Sequence, residues 1–407
     1  MIKLSEKKRE RELLKIGAED NFLDTLSKFQ ELELEDVELE IGELELWIQP
    51  GTGAIALQPT KPKSKPSEII ETEFTPHIME YPGQILEVKL GATKSEGGTR
   101  SKSHTLGGEK TLPYYRFEFD MPHPPVISFD VFDTKIPLAK PVRAQLEEVL
   151  EDPPAWAKLA VEKFGAEMVN LHLISIDPLI KDTTPRVAAK TVENVLQAVD
   201  VPIAVGGCGD PTKDSIVFEK VAEVSEGERI LFNSVTLDMD IEKMANIMNK
   251  YGHVIIAFTS MNLDDAKELN RKLFEFIPRE RIVIDTTTAA LGYGLDYAFT
   301  VMERTRISGL MGDEQLQNPM SSGTTNAWAA REAWMKMAPE WGTREQRGPI
   351  WETVTALTLL LAGVDYFMMM HPSAVKTVKE VIDKLTKSKI NVLKEPEKFR
   401  EWVSIKI

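Results

Sequence analysis

Between Val126 and Leu385 short apolar runs alternate with longer amphipathic stretches, about eight times over. The runs are rich in Val, Ile and Phe and finish in polar or small residues, the pattern of buried parallel strands each followed by a helix. The expected strands are Val126–Phe132 ending at Asp133, Val169–Ile174 running into Ser175 and Asp177, and Pro202–Val205 running into Gly206-Gly207-Cys208-Gly209-Asp210. Next come Ile230–Phe232 ending at Asn233, Val254–Phe258 ending at Thr259-Ser260, and Ile282–Ile284 ending at Asp285-Thr286-Thr287-Thr288. A weak seventh falls near Pro319–Ser322 by position, and Asp365–Met370 ends at His371. Eight such units close into an α/β fold, a (β/α)8 TIM barrel, with chemistry expected at the carboxyl ends of the strands.

Residues 123–388 are assigned to the barrel and 389–407 to a carboxyl-terminal tail. Residues 1–82 form an amino-terminal α/β extension, with a charged helix expected over Leu4–Phe29 and a strand pair over Val37–Ile41 and Leu44–Ile48. Glutamates alternate with apolar residues in that pair, and Gly42 shifts the phase by one, as a bulge or turn does. Residues 83–122 read as a β-hairpin element capping one barrel mouth, with strands near Leu86–Leu90, His104–Leu106 and Tyr114–Phe119.

Composition narrows the function. A net charge of −15 argues against nucleic acid and anionic membrane as partners. No apolar run approaches the roughly 20 residues of a membrane span. The opening MIKLSEKKRERELLK lacks a signal-peptide core, so a cytoplasmic location is expected. Cys208 is the only cysteine, which alone holds neither a disulfide nor an iron–sulfur cluster. The histidines are dispersed, HExxH and DxHxxG are absent, and no nucleophile–base pair is visible. No catalytic or metal-ligating residue is therefore assigned.

Four loops carry candidate chemistry. Gly91–Gly108, with Lys94, Arg100 and Lys102, either wraps an anion or partner or is an exposed hairpin loop. In Gly206–Asp210 the glycines allow a ligand close to the backbone, Asp210 is also a natural helix cap, and Cys208 is a reactive thiol or a small packing residue. Asp285–Gly294 offers an acid, three threonines and glycine turns, suited to a polar ring edge or to capping. Ser321–Asn326 is a hydroxyl cluster, and Trp328 and Trp334 beyond it read as packing residues.

The runs Val88–Gly108 (VKLGATKSEGGTRSKSHTLGG), GGCGD, Leu291–Arg306 (LGYGLDYAFTVMERTR) and Arg347–Val375 together resemble the small subunit of corrinoid/iron–sulfur proteins, in archaea the delta subunit of acetyl-CoA decarbonylase/synthase. The resemblance spans about Ile85 to Leu385, with residues 1–82 an extension of archaeal type. It implies a (β/α)8 chain paired with a large (gamma) subunit that carries a [4Fe–4S] cluster. A corrinoid, held mainly by that partner, lies under the barrel mouth, and this chain carries no cluster. Such a heterodimer moves a methyl group between a methyl-tetrahydropterin and the metal cluster of acetyl-CoA synthase, alongside CO dehydrogenase. A mouth of neutral polar groups suits a nucleophilic cobalt that a good acid would protonate. The residues expected to face the corrinoid are Asn233, Asp285, Thr286, Thr287 and Asn326, with Gly207, Asp210 and Gly292 in the adjoining turns. An autonomous pterin-dependent methyltransferase and a purely architectural subunit remain as alternatives. Against the first, no general acid for the pterin nitrogen stands out.

Overall fold

A computed structural model of the chain describes residues 78–387, together with the backbone of four short strands nearer the amino terminus. The chain divides into two units, the second spanning Thr75–Lys394. In the first unit Ile2–Leu4 pairs antiparallel with Glu12–Leu14, and Trp47–Ile48 with Ile55–Ala56. Glu12–Leu14 falls within the span expected to be a helix. The intervening KKRER sequence gives a helix no apolar face, which accounts for the difference. Trp47–Ile48 pairs forward to Ile55–Ala56, and Val37–Ile41 lies outside the described residues.

In the second unit eight parallel strands form a closed barrel. They are β1 (Val126–Phe132), β2 (Val169–His172), β3 (Ile203–Gly206), β4 (Leu231–Val235), β5 (Val254–Phe258), β6 (Ile282–Asp285), β7 (Met320–Ser322) and β8 (Val364–Met369). Each lies within a residue or two of its expected span except β4, which runs three residues past Phe232, and β8 pairs with β1 in register Tyr366↔Val126 to close the ring. The surrounding helices follow ordinary local rules. Leu263–Phe274 starts at Asn262, whose side chain accepts from the backbone N–H groups of Asp264 and Asp265, and it carries acids in its first turn and Arg271 and Lys272 in its last. Pro185–Ala198 buries Ala188, Ala189, Val192 and Val195, one stripe at helical spacing.

The two barrel mouths differ. Val88–Leu90 and His104–Leu106 form an antiparallel hairpin. Its Val88, Leu90 and Leu106 pack with Val126, Met168, Ala204, Leu231, Val254 and Val283 at the amino-terminal end of the lumen. Gly91 N–H donates to Arg229 O at 3.0 Å, Ser101 N–H to Asp200 O at 2.7 Å and Leu86 N–H to Gln317 O at 2.7 Å, each acceptor lying just before a barrel strand. The hairpin therefore caps the mouth opposite the expected chemistry. Gly91 has φ +72, and a Cβ there would come 2.5 Å from Pro202 Cγ, so glycine is required by both conformation and space.

The loop Gly91–Gly108 is exposed at Lys94, Ser95, Gly97 and Thr99, as a hairpin loop is expected to be. Two details differ from expectation. Arg100 is only 5% exposed. Its Nε donates to Glu228 Oε2 at 2.7 Å, and its Nη1 and Nη2 donate to Val199 O at 2.6 Å and Leu196 O at 2.9 Å. The third strand, Tyr114–Phe119, is instead a run of turns, with Tyr115 N–H donating to Leu112 O and Glu118 N–H to Tyr115 O. Tyr114 at φ +65 is incompatible with an extended strand.

Removing one partner of a buried ion pair strands the other charge, at a cost of about 3–5 kcal/mol. Arg100→Ala is expected to lower stability on that scale in urea unfolding. The double variant Arg100→Met with Glu228→Gln is expected to recover more than half of the loss.

Candidate functional site

The open mouth is built from the carboxyl ends of the strands, and its floor is a hydrogen-bonded layer of polar side chains. Residues Ser128 and Asp130 of β1 alternate with Val126 in the lumen series, as do Asn170 and His172 of β2 with Met168. Asp130 is fully buried. Its Oδ1 accepts from Asn170 Nδ2 at 2.8 Å and lies 3.1 Å from His172 Nε2. Its Oδ2 accepts from Thr325 Oγ1, and that hydroxyl also lies 3.3 Å from Met368 O. His172 stacks on Phe132, ring centroids 4.7 Å apart and planes 14° from parallel. Asn233, half-buried on β4, places Nδ2 3.3 Å from Met368 Sδ.

The expected residues divide around this floor. Asn233 stands on it. Asp285 is buried at the end of β6, with Oδ1 accepting from Thr287 N–H at 2.8 Å and Oδ2 from Ser321 Oγ at 2.9 Å. Burial pushes its carboxyl up to about 6, against the lowering effect of those two donors. Thr286 is buried with its hydroxyl unpartnered. Thr287 has φ +73, uncommon for a β-branched residue, and donates Oγ1–H to Thr259 O at 2.9 Å. Asn326 is exposed and donates to Thr288 O at 3.1 Å, while Gly292 is exposed in the loop after β6.

The GGCGD loop is occupied by its own helix. Asp214 accepts from Cys208 N–H at 2.8 Å and Gly209 N–H at 3.0 Å, and a Cβ at Gly207 would fall 2.2 Å from its carboxylate carbon. The glycine makes room for Asp214 at that position. Asp210 caps the helix Pro211–Val224 through Thr212 and Lys213 N–H, both at 2.9 Å. Burial and the Asp214 carboxylate push the Cys208 thiol up to about 11, so it is protonated at neutral pH and poorly nucleophilic.

Asp130, Asn170, His172, Thr325 and Glu352 were not singled out from the sequence. Glu352 is fully buried in the helix Arg344–Leu361, and its carboxylate accepts from Met370 N–H at 2.6 Å, His371 N–H at 3.1 Å and Trp328 Nε1 at 3.1 Å. Burial drives its carboxyl up to about 8. It fixes the rim after β7 and β8. Trp328 is buried, as its packing role requires, over Gly348, where a Cβ would strike the indole at 2.2 Å. Trp334 is partly exposed. His371 is held neutral, its pKa lowered to about 4 by burial.

The raised Asp285 carboxyl has a defined pH signature. The folded state keeps that proton up to about pH 6, whereas an unfolded aspartate releases it near pH 4. The contribution is therefore fully present below pH 4 and lost as pH rises from about 4 to 6. Asp285→Asn keeps the acceptor for Thr287 and is expected to abolish that slope, leaving the variant more stable at pH 7 by ~2–3 kcal/mol. Urea midpoints of both proteins across pH 4–7 check this, and parallel curves would count against it.

A family model described as the CO dehydrogenase/acetyl-CoA synthase delta subunit matches residues 87–338. The acetyl-CoA decarbonylase/synthase complex subunit delta of Archaeoglobus fulgidus is 55% identical over 349 residues, covering 84% of this chain and 76% of that protein. Its counterpart from Methanocaldococcus jannaschii is 45% identical over 388 residues, covering 93% and 95%. Among solved structures, the chain is similar to a dihydropteroate synthase from Stenotrophomonas maltophilia, at 14% identity and a TM-score of 0.47, covering 65% of this chain and 94% of that one. On the family match and the identities to these relatives, the chain belongs to the CO dehydrogenase/acetyl-CoA synthase delta subunit family.

Proposed function

We propose that this chain is the small half of a heterodimeric corrinoid/iron–sulfur methyl carrier. It covers, with its open barrel mouth, a corrinoid held mainly by a larger subunit that carries the iron–sulfur cluster. The carrier moves a methyl group between a methyl-tetrahydropterin and the metal centre of acetyl-CoA synthase. The observation that carries this reading, in a chain of this family, is the asymmetry of the barrel. One end is filled by its own hairpin. The other is floored by polar groups and ringed by exposed apolar residues: Leu179 after β2, Tyr293 and, in the first turn of the following helix, Tyr297 after β6, Trp334 and Trp341 after β7. Leu179 is 94% exposed and Tyr297 68%. Apolar groups clustered in loops at one end of a barrel suit a face that another macromolecule covers.

The side chains suit a cover better than a metal cage. Among the described residues no three His, Cys, Asp or Glu are grouped to hold a metal. Asn233, Thr325 and Asn326, which are not fully buried, can exchange hydrogen bonds with the amide-bearing rim of a corrinoid. When bound, the corrinoid supplies the cobalt that carries the methyl group. The chain's own part is to exclude water from that face and to hold neutral polar groups over it. Among the described residues no helix is long and apolar enough to cross a membrane.

Two experiments test the proposal. The isolated chain is expected to lack iron, acid-labile sulfide and the corrinoid visible bands, all of which the complex with its large partner should contain. A stoichiometric cluster on the isolated chain would sink the heterodimer. Deleting residues 1–80 is expected to leave that pairing intact while weakening association with the synthase and dehydrogenase subunits, measured by size-exclusion chromatography. Such a tether raises effective concentration without adding chemistry at the mouth.

A further inference from the structure

We propose that His172, oriented by Asp130, is the proton donor and acceptor for the ring nitrogen that loses or gains the methyl group at this mouth. The inference rests on the methyl-transfer function proposed above and names the residue that handles its proton. It departs from the expectation of a mouth without an acid.

The geometry is that of an oriented imidazole. His172 Nε2 lies 3.1 Å from Asp130 Oδ1 and 2.9 Å from Asn170 Nδ2, and the ring is clamped on Phe132. In the protonated ring Nε2–H faces the carboxylate, and the opposite nitrogen, Nδ1, is the reactive edge. That edge faces the space a side chain would fill at residue 206. A Cβ on Gly206 would sit 3.1 Å from Nδ1 and 3.7 Å from Asn233 Nδ2, and glycine keeps the space clear. The His172 side chain is 19% exposed, whereas Asp130 beneath it is 1% exposed. The acid is therefore sealed and the imidazole is accessible, as a positioned proton-transfer residue requires.

Several other titratable groups at this end are engaged elsewhere. Asp133 accepts from Ser175 N–H and Oγ, Asp285 from Thr287 and Ser321, and Asp214 from Cys208 and Gly209. Glu352 serves Trp328, Met370 and His371, and His371 Nδ1 accepts from Ser373 N–H at 3.2 Å. Asp130, Phe132 and Asn170 lie against the His172 ring and Gly206 beside its Nδ1, and of these Asp130 is the charged one.

The transfer balances as follows. The methyl carbon leaves the ring nitrogen without the C–N electron pair, and the acceptor supplies the pair for its new bond. The nitrogen keeps the old pair and takes the proton from His172 Nδ1. The N–H electrons remain on the imidazole, which is left neutral and still donates Nε2–H to Asp130. In the reverse direction neutral Nδ1 removes that proton. Without it the leaving nitrogen would depart as an anion.

Single-turnover methyl transfer in the heterodimer, followed by the cobalt absorption bands with 5-methyltetrahydrofolate and 5-methyl-tetrahydromethanopterin as donors, provides the test. His172→Gln is expected to slow transfer by roughly 10²–10³-fold, within the range of a lost general acid, and to flatten the pH profile. Pterin affinity, measured by isothermal titration, should change less than about threefold, the separation expected when a group acts in the transition state. Asp130→Asn should displace the pH profile. In the wild-type complex, imidazole ¹⁵N spectra should show the neutral ring protonated on Nε2, a readout that also decides the matter if His172→Gln fails to fold. An unchanged rate and pH profile in His172→Gln, or a neutral ring protonated on Nδ1, would overturn the inference and leave the carrier function standing. A wild-type complex that transfers methyl from neither donor would overturn both.

Discussion

Two buried guanidiniums fix which end of the barrel is open. Arg100 draws the hairpin onto the loops before β3 and β4. Arg306, in the helix Leu295–Leu310, donates to Glu109 Oε2 at 3.0 Å and Asp365 Oδ2 at 2.6 Å, and Asp365 Oδ2 also accepts from Met320 N–H at 2.7 Å. One charge cluster thus joins the segment after the hairpin to the starts of β7 and β8. It contains two carboxylates to one guanidinium, and burial raises the Asp365 carboxyl despite Arg306. Such clusters are weak sources of net stability but severe when broken, and they define one arrangement. With the lower mouth sealed, only the upper one is available to a ligand or partner.

At the upper mouth the same principle operates on a smaller scale. Asp130 is a buried carboxylate whose hydrogen-bonding capacity is taken up by Asn170, Thr325 and His172. Those contacts set the rotamers of all three neighbours. Asp214 does the equivalent for the glycine loop, and Glu352 for the rim between β7 and β8. The mouth is therefore preorganised by carboxylates that face inward, away from the ligand side.

The strands were legible in the sequence because a barrel strand is buried on both sides and reads as an apolar run with a polar end. The floor was harder to read for the same reason. Polar residues just after each run, such as Asp133, Asp210 and Asp285, stood out, yet the structure uses them to hold loops and helix starts. The floor residues Asp130, Asn170 and His172 lie inside the runs, where VISFDVF and VNLH read as strands with stray polar letters. The available signal was parity: Ser128 with Asp130, and Asn170 with His172, occupy alternate positions and so share the lumen face. The Asp130–His172 contact joins residues 42 positions apart on neighbouring strands, a pairing that only the barrel register Phe132↔His172 creates. The hairpin strands were readable, but the mouth they fill was not, since that choice rests on Arg100 finding Glu228 across 128 residues.

The internal pairing also bears on whether the chain acts alone. A site whose backbone donors already serve Asp214 and whose floor side chains already serve Asp130 offers a ligand little enthalpy that is not first taken from the protein. Tight binding of a large ring would need further contacts, and the exposed residues of the β2, β6 and β7 loops lie outside the floor, where a second protein rather than a small molecule would meet them. The division of labour follows from this. The barrel contributes orientation, exclusion of water and one placed proton carrier, while a partner surface contributes affinity. Accessible His172 is then useful only when the mouth is covered, because the desolvation that makes a methyl donor and acceptor reactive also makes a fixed imidazole a more effective proton source than bulk water.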